Sequence, residues 1–420
     1  MTVVTFVSVV VLIVAFFFKA QCLQPSDGRQ LYQRLCYSDL PPLYGLRGMA
    51  ENVFPYVNGG LVDGSLFGGA IEYPVLTGLF MWLTGLPVND GNQFFVVSAI
   101  LLTPAALATA YLLGRMTGRR ALMWAAAPAL VLYAFHNWDL LVVACAVAGV
   151  WWWSRRRPVA AALWFGLGAA FKLYPAFFLA PLFFDELRRN GFRRALGSVA
   201  AGVGAFAAVN LPFFLAGREG WLATYRFHQL RGPNFDNVWA LWFPSDTWLG
   251  DYGAITPERL NLVTGVLTGV FFLGALGFGW WRARRDETYP FLQVCAALLA
   301  AFLLWSKVHS PQYALWILPF FALLRLNVVW WALYAIADAA TYYGIFQWFY
   351  DQSLGRDFTA AKKAMIAGVW GRAVLLLLLF GLFLRSRPAV PEFLSHPPAN
   401  VPPTQGDAGL VTKGGATIHA

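Results

Sequence analysis

The residues able to do chemistry in this 420-residue chain stand out because they interrupt long apolar runs. They fall in a few places: Asp39 and Tyr44, then Glu72-Tyr73-Pro74; His136-Asn137-Trp138-Asp139; Lys172 within Phe171-Lys172-Leu173-Tyr174-Pro175; Arg226, His228 and Arg231; and Lys307-Val308-His309-Ser310-Pro311-Gln312-Tyr313. A carboxylate such as Asp39 can take a proton from a hydroxyl, or it can serve as a turn or helix-cap residue before Pro41-Pro42. A lysine between apolar segments is costly and needs a partner or water. Lys172 is therefore either an anion clamp or a side chain snorkelling to headgroups. Arg226, His228 and Arg231 form a basic cluster that can hold a phosphate or lie solvated against headgroups. Lys307, His309 and Gln312 share one short stretch. Asp139 can begin a helix, where the helix dipole favours its charge.

The elements that must position these residues are transmembrane helices. The chain is 59% hydrophobic and only 12% charged, with a mean hydropathy of +0.55. A soluble domain is about 45–50% apolar and about 25% charged, so the bilayer must solvate the surplus. The apolar runs are long and lack two-residue alternation, which points to helices rather than a barrel. The pattern predicts an all-α polytopic protein of about twelve spans, roughly 2–19, 93–114, 121–136, 139–153, 158–172, 174–184, 195–215, 259–281, 289–305, 312–325, 328–347 and 365–384. Several are shorter than the roughly 20 residues of a full crossing and need neighbours to bury their ends. Thr2–Phe18 lacks the basic start and small-residue cleavage site of a signal peptide, and reads as a retained first helix.

Orientation follows from arginine. Arg115/Arg119/Arg120, Arg155–Arg157, Arg188/Arg189/Arg193/Arg194, Arg282/Arg284/Arg285 and Arg385/Arg387 all fall on one side in this arrangement, and basic loops are cytoplasmic. The parity holds only if the apolar stretch 73–88, with its Pro74, Gly78, Gly85 and Pro87, lies at the interface rather than crossing. Both termini are then cytoplasmic. The loops 20–92 and 216–258, and with them the unusual residues, lie on the extracytoplasmic face. Residues 1–385 form one transmembrane domain. Residues 386–420, rich in proline and glycine, read as a disordered tail. Asp63, between Gly59-Gly60 and Gly64, reads as a turn residue, and the intramembrane Asp338 as a packed partner between helices.

Several classes are excluded. The net charge of +10 comes from clusters between apolar runs and does not mark a nucleic-acid-binding face. There is no phosphate loop of the G-x-x-x-x-G-K-[ST] type, so ATP is not used directly. No histidine–cysteine grouping suggests a redox metal. Cys22 and Cys36 share the first loop and could pair as a disulfide.

At four stretches the chain resembles the actinobacterial polyprenyl-phosphate-mannose-dependent α-mannosyltransferases, of the phosphatidylinositol-mannoside mannosyltransferase type, within the GT-C superfamily. They are Tyr37-Ser38-Asp39 with Tyr44; Glu72-Tyr73-Pro74; Asn137-Trp138-Asp139 followed by Lys172-Leu173-Tyr174-Pro175; and Ser306 to Tyr313. The resemblance implies an integral membrane glycosyltransferase on the outer face of the cell membrane. It would pass a sugar, mannose or within the same fold arabinofuranose, from a polyprenyl-phosphate donor to a glycolipid or glycan acceptor. No cofactor and no bound metal are expected. Asp39 would be the base of an inverting transfer, with His309 assisting. Lys172, Lys307, Arg226, Arg231 and His228 would hold the donor phosphate. Tyr44, Tyr73, Asn137, Asp139, Gln312 and Tyr313 would contact substrate. The alternative outside this class is a lipid or solute transporter, against which stands the lack of an internal repeat. The enzyme reading requires that Asp39, Lys172 and His309 face one cavity.

Overall fold

The computed structural model describes residues 2–23, 27–243, 255–286 and 288–390. The chain is all-α and polytopic. Helix α1 spans Thr2–Ala20 and is followed by the short α2 (Gln30–Gln33) and α3 (Leu40–Leu46). A two-stranded hairpin, β1 (Gly60–Val62) and β2 (Ser65–Phe67), precedes α4 (Val75–Gly85). Then come α5 (Gly91–Thr117), α6 (Leu122–Ala125), α7 (Pro128–Tyr133), α8 (Asp139–Ser154) and α9 (Pro158–Phe171). Helices α10 (Leu179–Asn190) and α11 (Phe192–Ala216) lead to two helices of the second long loop, α12 (Arg218–Leu230) and α13 (Val238–Trp242). The rest is α14 (Pro257–Asp286), α15 (Phe291–Trp305), α16 (Ala314–Leu323), α17 (Val328–Ser353) and α18 (Thr359–Arg385).

Five helical stretches are long and apolar enough to cross a bilayer by themselves: α1, the run 91–125, α11, α14 and α18. Helices α8, α9, α15 and α16 are apolar but short. Their neighbours compensate, since every residue of α16 is buried and all but two of α15 are. The outward faces of α11 and α14 stay apolar and bare, with Leu215 and Leu273 each 72% exposed; a lipid solvent makes that surface stable. The stretch 73–88, expected at the interface, forms the 11-residue α4. It packs so closely that a Cβ on Gly78 would lie 2.0 Å from the Tyr56 hydroxyl.

The hairpin was not expected. Its two-residue turn, Asp63-Gly64, has φ of 47° and 76°, the left-handed pair that a tight hairpin needs. Cys22 and Cys36 are joined, with Cα atoms 6.0 Å apart, and tie the end of α1 to the segment before Asp39. Of the tail expected to be disordered, the first residues are ordered: Arg325 N–H donates to the Arg387 carbonyl at 2.8 Å and Ala389 N–H to that of Leu323 at 2.7 Å. Residues 391–420 lie outside the described residues.

Helices α17 and α18 cross at glycine. A side chain at Gly344 would meet the Met365 backbone at 2.3 Å, and one at Gly368 the Thr341 backbone at 2.5 Å. That contact brings Arg372 of α18 to Asp338 of α17 at 3.0 Å. Tyr133 donates to the same carboxylate at 2.8 Å. Asp338 is thus an interhelical partner, as its surroundings in the sequence implied. Arg372 also bonds the Asp236 carbonyl, so one buried guanidinium joins two helices and the second long loop. Arg372→Leu leaves two buried carboxylates without their cation and should cost about 3–5 kcal/mol. Thermal unfolding of the solubilised protein measures this, and Arg372→Leu/Asp338→Leu should recover part of the loss.

Candidate active site

Asp39 sits at the N-terminal cap position of α3, where Pro41 and Pro42 fill the first turn. Its carboxylate makes no capping bond. It accepts instead from the Asn137 amide at 2.9 Å, which removes the cap as its explanation. The backbone around it is held firmly. Asp39 N–H donates to the His136 carbonyl at 2.9 Å, Ser38 Oγ to the Phe135 carbonyl at 2.8 Å, and Lys19 Nζ to the Tyr37 carbonyl at 2.6 Å. His136 Nε2 stands 3.9 Å from the carboxylate, which is 24% exposed. Burial pushes the Asp39 carboxyl above the usual carboxylate range, while Asn137, Tyr37 and the charges of Lys172 and Arg231 pull the other way.

Asn137 is the hub of a buried network. Its Nδ2 also donates to the Tyr73 hydroxyl at 2.7 Å. Its Oδ1 accepts from Trp138 N–H at 2.7 Å and from Lys172 Nζ at 3.3 Å. Lys172 does not snorkel. Helix α9 ends at this residue, its backbone extended, and the proline at 175 sets up a separate turn. The ammonium meets both oxygens of Asp139 at 2.9 and 2.8 Å. It also stands 5.3–5.7 Å from the ring centroids of Tyr73, Tyr313 and Trp316. Asp139, the first residue of α8, is fully buried and takes a further bond from Trp316 Nε1 at 2.6 Å. The Lys172 charge is therefore already balanced.

Asp39, Tyr73, Lys172, His228, Arg231, Lys307, Gln312 and Tyr313 line one cavity of about 920 Å³. Asn137 and Asp139 lie behind its wall. On that wall Lys307 Nζ donates to the Gln229 carbonyl at 2.9 Å, and Arg231 to Asn234 at 2.8 Å. Neither forms an ion pair with a carboxylate among the described residues, so both cations are free to meet an anion. The loop between α12 and α13 is stitched to the one after α15: Asn234 N–H donates to the Lys307 carbonyl at 3.2 Å, and the Asn237 amide bonds the same oxygen. His228 Nε2–H donates to the Glu72 carbonyl at 2.7 Å. Burial, then Arg231, lowers its ring to about 4, so it stays neutral at ordinary pH. The Gln312 side chain is buried, and its carbonyl oxygen is without a partner among the described residues.

Three expected residues are elsewhere. His309 is turned into the core, its Nδ1 donating to the Leu303 carbonyl at 2.9 Å, and is not on the cavity wall. Arg226 is half-exposed and pairs with Glu219 at 2.7 Å. Tyr44 donates to the Val88 carbonyl at 2.8 Å and packs on Phe94. Of the trio expected to converge, Asp39 and Lys172 share the cavity and His309 does not. Sequence reasoning passed over the Glu72–Arg47 pair on the wall, at 2.5 and 3.0 Å, and Trp316, which stacks on Tyr313 at 3.7 Å. A bulky tryptophan in an apolar span carries no sign that its indole N–H serves a buried acid.

Fold and site define a polytopic all-α membrane protein with one chamber on which two carboxyl groups raised by burial, Asp39 and Asp236, and two cations without a carboxylate partner among the described residues, Lys307 and Arg231, come together. The model of glycosyltransferase family 87 matches residues 72–306, more than half of the chain, and the protein belongs to that family. No curated protein matches it. The protein is thus a membrane glycosyltransferase. The matched segment takes in Asn137, Asp139, Lys172, His228 and Arg231, while Asp39 and Gln312 fall on either side of it.

Burial first, and Arg231 second, lower Lys307 to about 8. Its amine should acylate with a midpoint near that pH, read by mass spectrometry. Removing the like charge in Arg231→Gln should move the midpoint upward.

Proposed function

We propose that the protein transfers a sugar, mannose, from a polyprenyl-phosphate donor to a hydroxyl of a glycolipid or glycan acceptor. Asp39 acts as general base in a single inverting displacement, on the extracytoplasmic face. The observation that carries this reading is the division of charge around one chamber. A carboxylate with no ion pair within 3.5 Å stands on one wall, and Lys307 and Arg231 stand unneutralised on another. The acceptor oxygen attacks the anomeric carbon as Asp39 takes its proton. The bond from that carbon to the phosphate oxygen breaks, and polyprenyl phosphate leaves as the anion. Inversion needs one base, whereas a retaining double displacement needs a second carboxylate about 5–5.5 Å away as nucleophile. The other two carboxylates on the wall are engaged: Glu72 by Arg47 in two bonds, and Asp236 beside the buried Arg372 at 3.7 Å.

Within this reading the cations divide their work. Lys307 and Arg231 meet the phosphate, where a pre-placed charge favours the developing anion. Lys172, satisfied by Asp139, orients Asn137 and through it Asp39. His309 and Arg226, away from the cavity, take no direct part. The placement of the chamber outside and of both termini inside follows the arginine clusters.

Purified protein in lipid, given a polyprenyl-phosphate sugar and a glycolipid acceptor, should release polyprenyl phosphate. Asp39→Asn should abolish release while the protein remains folded; full activity in this variant would remove Asp39 as base. Lys307→Ala should raise the donor KM roughly tenfold with a smaller effect on the acceptor KM. Because Asp39 must be ionised to accept a proton, turnover should rise with pH through its raised pKa. Asn137→Leu removes a donor that favours the carboxylate, so the acid limb of kcat/KM should move to higher pH. An unmoved limb would mean that another group sets the profile.

A further inference from the structure

The wall of the chamber beside Tyr37 is unlike the rest. The Tyr37 hydroxyl lies near enough to Asp39 to favour its carboxylate form, and its ring joins an aromatic group drawn from three parts of the chain. Tyr32 lies near-parallel to it at 6.4 Å, and Phe346 lies 5.9 Å away. Tyr32 also meets Phe346 at 6.2 Å and Phe349 at 5.5 Å. Phe349 touches Phe235 at 5.7 Å. All five residues line the same cavity as Asp39, and none carries a charge. The expected site residues did not include any of them.

We propose that this wall is the subsite for a sugar ring of the acceptor, an inference that rests on the glycosyl-transfer reading and deepens it. Whatever lies against Tyr37 presents its polar edge to Asp39. The base requires a hydroxyl there, which a prenyl chain does not have. A phosphate would find no cation on these five side chains, whereas Lys307 and Arg231 offer one elsewhere in the chamber. A pyranose suits both needs. Its C–H face is apolar and lies on aromatic rings, and its hydroxyl rim reaches the polar groups at the edge, the usual make-up of a small-molecule site. The wall is also built in advance. The Cys22–Cys36 bond closes the loop that carries Tyr32. The Tyr342 hydroxyl donates to the Leu35 carbonyl at 2.5 Å and accepts from Lys19 at 3.0 Å. Residues 342, 346 and 349 follow helical spacing on one face of α17, so one rigid helix both anchors the 35–37 segment and supplies the phenyl rings. A subsite whose parts do not have to be ordered on binding loses less entropy.

The test uses the full protein in lipid nanodiscs. Saturation-transfer NMR would follow methyl α-mannopyranoside and methyl α-glucopyranoside. The wild type should bind at least one of them. Phe349→Ala and Tyr32→Ala should weaken that binding about tenfold, the scale of losing one aromatic contact, and Phe349→Tyr should retain it. Asp39→Asn should still bind. In turnover, Phe349→Ala should raise the acceptor KM and leave the donor KM unchanged. Equal glycoside binding in Phe349→Ala and wild type, or none in the wild type, would overturn the subsite. A rise in the donor KM alone would also overturn it and assign the wall to the prenyl chain. Glycoside binding by a wild-type protein that consumes no polyprenyl-phosphate sugar would sink the transfer reading while leaving the subsite in place.

Discussion

A charge without a partner inside an apolar bundle is among the costliest things a fold can contain, and the contact between Lys172 and Asp139 removes two such charges at once. The site depends on it. Asp139 opens α8 and Lys172 closes α9, so the pair fixes the ends of two short helices relative to each other. With the ammonium held, the Asn137 carbonyl oxygen has one place to go, and its amide must then face Tyr73 and Asp39. A rotated amide would set donor against donor at Lys172. The orientation of the Asp39 carboxylate thus descends from the Lys172–Asp139 ion pair beside it.

The opposite wall follows the same logic with different residues. Arg372 is buried between Asp338 and Asp236, and Asp236 belongs to the loop that presents Arg231 and Asn234. That loop is sewn in turn to Lys307. Each wall is anchored by a charge pair with one member on the chamber and the other behind it: Lys172 backed by Asp139, and Asp236 backed by Arg372. Such pairs add little net stability over apolar packing, and here they confer placement. Glycine makes the second one possible, since only bare backbones let α17 and α18 approach closely enough.

Much of this was legible from residue order alone. Apolar runs gave away the helical membrane fold, and the polar interruptions at 39, 137–139, 172 and 307–313 marked the chamber, because polar groups do not persist in such surroundings without a reason. The direction of each side chain was not legible. His309 and Lys307 are two residues apart in an irregular segment whose backbone path decides which of them faces the chamber. Arg226 lies within α12 and Arg231 just past its end, where the backbone turns extended, and this sets one outward and the other inward. The aromatic wall was hidden for another reason: Tyr32, Phe346 and Phe349 look like ordinary interface anchors until the fold brings positions some three hundred residues apart together. Lys172 was conspicuous, and its partner Asp139 was in view, but pairing them needed the third dimension.

The size of the chamber imposes a demand of its own. Its 920 Å³ holds many waters, and on the proposed mechanism each is a rival nucleophile beside Asp39. An enzyme with so roomy a vestibule avoids wasteful hydrolysis only if the second substrate itself evicts the solvent. On that mechanism bulk in the acceptor becomes a requirement of fidelity, and a small alcohol leaves the donor poorly protected against water.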